Sequence, residues 1–260
     1  MIELGGSFNT AKVYTDNIET VAISQIIELC NQKFFKNSKI RIMPDTHAGA
    51  GCTIGTTMTI KDKIVPNLVG VDIGCGMYVC TIEDKNLDLK TLDELIHKYI
   101  PSGFNIRNIA CSHQIDYKKL KCLKYMNITR AKFSIGTLGG GNHFIEINKD
   151  DNGNYYLVVH SGSRYLGKQV AEYYQNLGYK KLIENKNKKR FIIDNLKKEG
   201  RQKEIQVELR KIKAPRIRRE LAYIEDQDML DYLSDMRLTQ QYASINRETI
   251  ADIIFLYMGW

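Results

Sequence analysis

The chain has 260 residues, 43% of them apolar, with a net charge of +8. That is ample material for a buried core in one large or two small domains, and the mean hydropathy of −0.34 is that of a soluble protein. The lack of any uncharged apolar run of about 18 residues argues against a transmembrane helix, and the start MIELGGSFNTAKVY has no basic and apolar export signal, so the expected location is cytoplasmic, with no membrane partner.

In chain order, Val21–Phe35 carries a helical stripe at Ala22, Ile23, Ile26, Ile27, Cys30 and Phe34. Lys39–Met43 alternates as a strand and runs into Pro44-Asp45-Thr46-His47-Ala48-Gly49. Gly55–Ile60 reads as a second strand, closed by a turn at Lys61-Asp62-Lys63, and Met77–Ile82 as a third. Thr91 with Glu94 has the spacing of a capping box before a short helix that ends ahead of Pro101. Ile115–Met126 carries a weaker helical pattern. Lys132–Ile135 and Phe144–Asn148 read as short strands on either side of a glycine-rich loop. Asp150-Asp151-Asn152-Gly153 is a hairpin turn returning into a strand over Tyr155–Val159.

From Leu166 the pattern is helical, with breaks expected near Gly200 and around Ala214-Pro215. Lys180–Glu220 holds sixteen Lys/Arg against six Asp/Glu, so the positive charge of the chain belongs to this segment. A polyanion partner fits that asymmetry; so does a solvated helical surface. The fold class expected is α+β: a strand-rich N-terminal half forming mixed sheets with flanking helices, then a helical hairpin insertion and a long C-terminal helix. The apolar end IADIIFLYMGW is expected to need a cover, from a partner or from more chain.

Chemistry-bearing side chains recur in small-residue loops at strand ends. VGVDIGCGMYVC places Asp72 and Cys75 three apart among glycines, GTLGGGNHF holds Asn142 and His143, and VVHSGSR holds His160 and Arg164. A thiolate beside a cation is deprotonated and can bridge two ions. By donor softness alone, Cys and His with one carboxylate favour zinc over iron, cobalt or manganese. Three consecutive glycines, Gly139–Gly141, suit close approach of a phosphate to the main chain, without the Lys and Ser/Thr of a Walker A loop. Arg164 has the fork for a phosphate, and a serine hydrolase is disfavoured because no G-x-S-x-G occurs. Six cysteines without a C-x-x-C pair point away from a zinc ribbon, and most of them read as small core residues. His97 and His113 read as ordinary surface residues.

At these residues the sequence resembles the RtcB family of GTP-dependent RNA ligases. The matching blocks are MPDTHAGAG (43–51), VGVDIGCGM (69–77), GTLGGGNHFIE (136–146), VVHSGSRYLG (158–167) and QQYASINR (240–247), in family order across nearly the whole chain. The resemblance implies two Mn(2+) ions: Asp72 would bind one, Cys75 would bridge both, and His143 would hold one and His160 the other. It implies GTP as cofactor, with Asn142 and Phe144 near the nucleotide and Glu146 on the guanine edge. Arg164, Asp45 and His47 would lie near the RNA end. The reaction implied passes a guanylyl group from a histidine to an RNA 3′-phosphate, opened first from a 2′,3′-cyclic phosphate where needed, and an RNA 5′-hydroxyl then displaces GMP. An archease-type activator is a further partner the resemblance implies.

The family's guanylylated histidine belongs to a later part of the pattern, beyond Trp260. The expectation is therefore one catalytic domain over residues 1–260, C-terminally incomplete, with residues 166–225 as a basic helical insertion and no catalytic nucleophile of its own. A metal-dependent phosphoesterase acting on RNA cyclic phosphates and a non-catalytic RNA-binding module are the competing readings.

Overall fold

The computed structural model describes residues 1–84, 86–211 and 217–260, with the backbone alone for Asn185 and Lys186. In chain order the elements are β1 (Ile2–Gly5), β2 (Thr10–Val13), α1 (Thr20–Cys30), β3 (Ile40–Ile42), β4 (Thr56–Met58), β5 (Lys63–Ile64), α2 (Pro66–Val69), β6 (Gly76–Ile82), α3 (Leu89–Tyr99), α4 (Ile128–Ser134), β7 (Phe144–Lys149), β8 (Tyr155–Ser161), α5 (Arg164–Lys198), α6 (Ile205–Arg210), β9 (Ile224–Glu225) and α7 (Asp226–Met258). The chain divides into two compact units, one formed by Met1–Val69 with Tyr174–Leu230, the other by Gly70–Tyr173 with Asp231–Trp260. No helix among the described residues is long and apolar enough to cross a membrane.

The first unit is built on a mixed sheet of order β1-β2-β3-β4. β2 runs antiparallel to β1 and parallel to β3, with Ala11 opposite Ile40 and Val13 opposite Ile42. Those four side chains are fully buried against Ile26, Leu29 and Cys30 of α1 and against Phe35. The β1–β2 turn crosses the end of α1 so closely that a Cβ on Gly6 would lie 2.6 Å from the Cys30 carbonyl carbon, which leaves glycine as the residue that fits. A short β5–β9 pair adds to the same unit, with Lys63 ion-paired to Glu225 at 2.8 Å.

The second unit carries the antiparallel sheet β6-β8-β7. Its register places Met77, His160 and Phe144 in one row and Val79, Val158 and Glu146 in the next, on the same face. The opposite face buries Leu157, Val159 and Ile82 against Leu92 and Leu95 of α3 and Ile250, Ala251 and Ile254 of α7. Alternation therefore assigns the apolar set to the core and leaves His160, Phe144 and Glu146 on the open side. That open face is what positions the site.

The α+β class and the long C-terminal helix agree with the sequence, and several local readings are corrected. α3 is capped by Asp88, whose carboxylate accepts from the amides of Lys90 and Thr91. Thr91 is already inside the helix and donates its hydroxyl to Asp88, so the capping box one turn later does not form. Ile115–Met126 holds only single 3-10 turns at Tyr117–Lys119 and Leu123–Tyr125. Lys132–Ile135 is not a strand: it lies at the end of α4, which starts from the side-chain cap of Asn127 on the Arg130 amide. His113 is half-buried and hydrogen-bonded to the Cys111 carbonyl and the Tyr117 hydroxyl.

The helical break near Gly200 is present, with that glycine at φ +71 after α5; the break expected at Ala214-Pro215 falls outside the described residues. The apolar C-terminus is partly covered from within. Gly259, at φ +72, turns the chain so that Trp260 packs edge-on against Phe255, with ring centroids 5.6 Å apart, and only Leu256 and Tyr257 stay well exposed.

Candidate metal centre

Asp72 and Cys75 sit on the turn that feeds β6, closed by the Cys75 amide on the Asp72 carbonyl at 3.1 Å. Gly74 has φ +80, and a Cβ there would lie 2.9 Å from the Gln240 Cα of α7, so the turn packs on that helix only with glycine. His143 stands just before β7 and His160 near the end of β8. The sheet thus gathers residues that lie up to 88 positions apart, from Asp72 to His160.

Cys75 Sγ lies 3.6 Å from His143 Nε2 and 3.5 Å from His160 Nε2. Asp72 Oδ2 lies 2.8 Å from His143 Nε2. Ligand atoms of Asp72, Cys75 and His143 fall within 4.8 Å of one another, and His160 joins this group through the thiol and an edge-on contact with the His143 ring at 5.6 Å. Both imidazoles are oriented from behind. His143 Nδ1 meets the Leu138 carbonyl at 2.8 Å and His160 Nδ1 meets the Gly76 carbonyl at 3.1 Å. A carbonyl only accepts, so Nδ1 is the donor in each contact, and this fixes both rings with Nε2 turned inward toward the thiol.

Electrostatics point the same way. Burial raises the Asp72 carboxyl, yet hydrogen bonds from His143 and from the amide and hydroxyl of Ser163 leave it below the ordinary carboxylate range. His143 is pushed up to about 9, chiefly by the Asp72 carboxylate and then by Cys75. The proton that His143 shares with the Asp72 carboxylate stands among a thiol and a second imidazole, at the place a cation would take. The donor set of Asp72, Cys75 and His143 therefore fits a divalent cation, with His160 beside the thiol.

The other expected site residues take up varied positions. Asn142 is exposed, with Nδ2 3.5 Å from His160 Nε2. The Phe144 ring lies 5.2 Å from that of His160, and Glu146, one row further along the same face, accepts from Asn148 Nδ2 at 2.9 Å. Arg164, at φ +54, is half-buried, and its desolvation lowers its pKa. It donates Nε to Thr137 Oγ1 at 3.0 Å and Nη2 to the Gly103 carbonyl at 2.7 Å, so two of its donors serve the protein. Its Nη1 passes so near Gly139 that a Cβ there would lie 1.7 Å away. Asp45 and His47 are exposed on the loop after β3, in the first unit.

Three further residues hold the centre together and were not singled out by the sequence. Ser163 donates its amide to Asp72 Oδ1 at 2.9 Å, and a Cβ on the neighbouring Gly162 would lie 2.2 Å from that oxygen. Asn246, fully buried on α7, accepts from the amides of Gly136 and Thr137 and donates to Thr137 O, Ser161 Oγ and Gly162 O. Arg247 donates Nη1 to the carbonyls of Gly74 and Ser161. The block QQYASINR contains the last two, so a signal for them existed.

Comparison with known proteins identifies the family. The profile of the tRNA-splicing ligase RtcB family matches residues 25–124 and 105–258. The RNA-splicing ligase RtcB of Escherichia coli K12 is 31% identical over 90% of this chain and 57% of its own length. The tRNA-splicing ligases RtcB of Pyrobaculum aerophilum and Thermococcus kodakarensis are each 27% identical, over 51% and 57% of this chain and 39% and 41% of theirs. The chain thus spans little more than half the length of the Escherichia coli relative it matches. With the profile covering most of its residues and the metal-capable side chains gathered in one place, the chain belongs to the RtcB family of RNA-splicing ligases.

Proposed function

We propose that the chain carries the metal-holding part of a GTP-dependent RNA ligase that joins RNA 3′-phosphate or 2′,3′-cyclic phosphate ends to 5′-hydroxyl ends, as in tRNA splicing or RNA repair. The observation that carries this is the Cys75 thiol standing between the Nε2 atoms of His143 and His160, with Asp72 beside them. Bound manganese would neutralise phosphoryl charge and align the attacking group at this point; donor softness alone favours zinc, so manganese rests on the family. Ser163 keeps Asp72 ionised and pointed inward. The carbonyls of Leu138 and Gly76 fix both imidazoles with Nε2 turned inward, where an ion would replace the proton His143 shares with Asp72.

In this reading Asn142 donates to a nucleotide phosphate or ribose, and Glu146 accepts from a guanine edge beside Phe144. Arg164 and the Asp45–His47 loop serve the RNA end, and residues 166–225 form a basic insertion in one catalytic domain. In the family pattern the histidine that takes the guanylyl group comes after the matched blocks, so this reading assigns that role to none of the five histidines here. An archease-type protein is the expected activator.

Manganese binding followed by electron paramagnetic resonance tests the centre. The chain should bind the ion and lose it on Cys75→Ala, whereas equal binding by the variant would sink the reading. With radiolabelled GTP and manganese, a full-length relative should become covalently labelled and this chain should not. A label on this chain would relocate the nucleophile within it.

One observation favours a second role, RNA binding apart from catalysis. Lys188, Arg190, Lys197, Lys198 and Lys203 are exposed and make no ion pair among the described residues.

A further inference from the structure

A cavity of about 380 Å³ opens beside the metal centre, lined by Asp72 and His143, by the backbone of Gly140 and Gly141, and by Phe104, Arg130, Arg164 and Lys168. Its size lies in the range of small-ligand pockets. The mouth is unusual because Phe104 is 93% exposed on a backbone that is fixed from several sides. The Gly103 amide bonds the Gly139 carbonyl at 2.8 Å, and the Asn105 amide bonds the Ser102 carbonyl at 3.1 Å. The Gly103 carbonyl accepts from Arg164, and the Phe104 carbonyl accepts from Arg130 Nη2 at 2.8 Å. An apolar ring held bare on a rigid loop, above a cavity rimmed with cations, is poorly explained by packing within this unit.

We propose that this cavity takes the terminal nucleotide of an RNA 3′ end, with its base stacked on Phe104 and its backbone phosphate on Arg130 and Lys168. The inference rests on the RNA-end reading of the neighbouring centre and extends it to residues that reading does not use. Stacking on an aromatic face is the usual anchor for an unpaired base, and it tolerates any sequence. The two cations have capacity to spare. Arg130 commits only Nη2 to the loop while its guanidinium lies over the Tyr165 ring at 5.2 Å, and Lys168 makes only a loose, exposed pair with Glu172 at 3.8 Å. Gly140 and Gly141 present main chain without side chains to the same space: a Cβ on Gly141 would meet nothing within 4 Å. A terminal phosphate at the Asp72 and His143 end would then face the centre that acts on it.

The test uses the 260-residue chain and a fluorescein-labelled uridine hexamer bearing either a 3′-phosphate or a 3′-hydroxyl, with anisotropy read in manganese. The wild-type chain should prefer the 3′-phosphate. Phe104→Ala should weaken that binding roughly tenfold, and Phe104→Tyr should stay within about twofold of wild type. Arg130→Gln should weaken binding and lower its salt dependence. Equal binding by Phe104→Ala, with the 3′-phosphate preference intact, overturns the stacking platform and leaves the RNA-end reading standing. No preference in the wild type removes that reading and the platform together. Displacement of the hexamer by 5′-GMP as effective as by uridine 3′-monophosphate would assign the cavity to a guanosine nucleotide and overturn the proposal.

Discussion

His143 Nε2 faces a carboxylate oxygen at 2.8 Å and a thiol at 3.6 Å, and this single atom sets how the centre responds to pH. Its ring is pushed up to about 9, against about 6.5 for a free imidazole. A raised folded-state value means that the Asp72–His143 pair stabilises the metal-free chain in full below about pH 6.5 and loses that contribution as the pH climbs through about 9. Asp72 works at the other end: its depressed value makes its contribution complete above the ordinary carboxylate range and lost as the pH falls through the lowered value. Urea unfolding without metal should therefore show a lower midpoint at pH 9.5 than at pH 6, and His143→Gln should flatten that difference. Divalent-ion affinity should run the opposite way and rise over the same interval, because the ion displaces the proton on His143. A midpoint that rises with pH in the metal-free protein would contradict the pairing.

The strand ends are where backbone and chemistry meet, and two substitutions separate their roles. Gly162 is buried, and a Cβ there would lie 2.2–2.4 Å from the Asp72 carboxyl atoms, while its backbone φ lies outside the left-handed region that favours glycine. Gly162→Ala should keep the fold by circular dichroism yet lose manganese binding, since only the carboxylate has to move. Asn246→Leu should do the reverse in emphasis. It strands the Gly136 and Thr137 amides in the interior and should cost on the order of 3 kcal/mol in urea unfolding, with loss of the centre as a consequence.

These two residues also mark the limit of what the sequence shows. Asp72, Cys75, His143 and His160 are legible because each is a metal-capable side chain in a small-residue loop beside an apolar strand. Ser163, Asn246 and Arg247 act through hydrogen bonds to residues about 85 to 173 positions away; the block QQYASINR marks the last two, but no local pattern encodes those partners. The β1–β2 hairpin escaped for a related reason. Its strands are four residues each, and their burial comes from β3 and α1. Lys132–Ile135 misled because four residues alternate equally well as the last turn of α4, and the deciding cap, Asn127, stands outside that window.

At the scale of the whole molecule, charge and chemistry are divided between the two units. The metal-capable cluster belongs entirely to the second unit. Most of the positive charge of Lys180–Glu220 belongs to the first unit, on the later turns of α5 and the segment leading to β9. Part of that charge is neutralised locally: Arg201 pairs with Glu199 and Glu204, Lys211 with Glu208, and Arg218 with Glu28. The exposed cations at Lys188, Arg190 and Lys197 make no ion pair among the described residues, and they lie on the same helix as Phe191, which is 66% exposed. Cations without partners bind a polyanion by releasing its counterions, and each phosphate neutralised on a single strand adds about 0.7 to the slope of log affinity against log salt. Replacing Lys188, Arg190 and Lys197 together by Glu should lower that slope by roughly 2 for a long single-stranded RNA titrated between low and physiological salt. Cys75→Ala should leave the slope where it is, because in the proposed reading the thiol serves only the RNA end. An unchanged slope in the triple variant would make the basic segment an ordinary solvated helix surface and leave RNA recognition to the second unit alone.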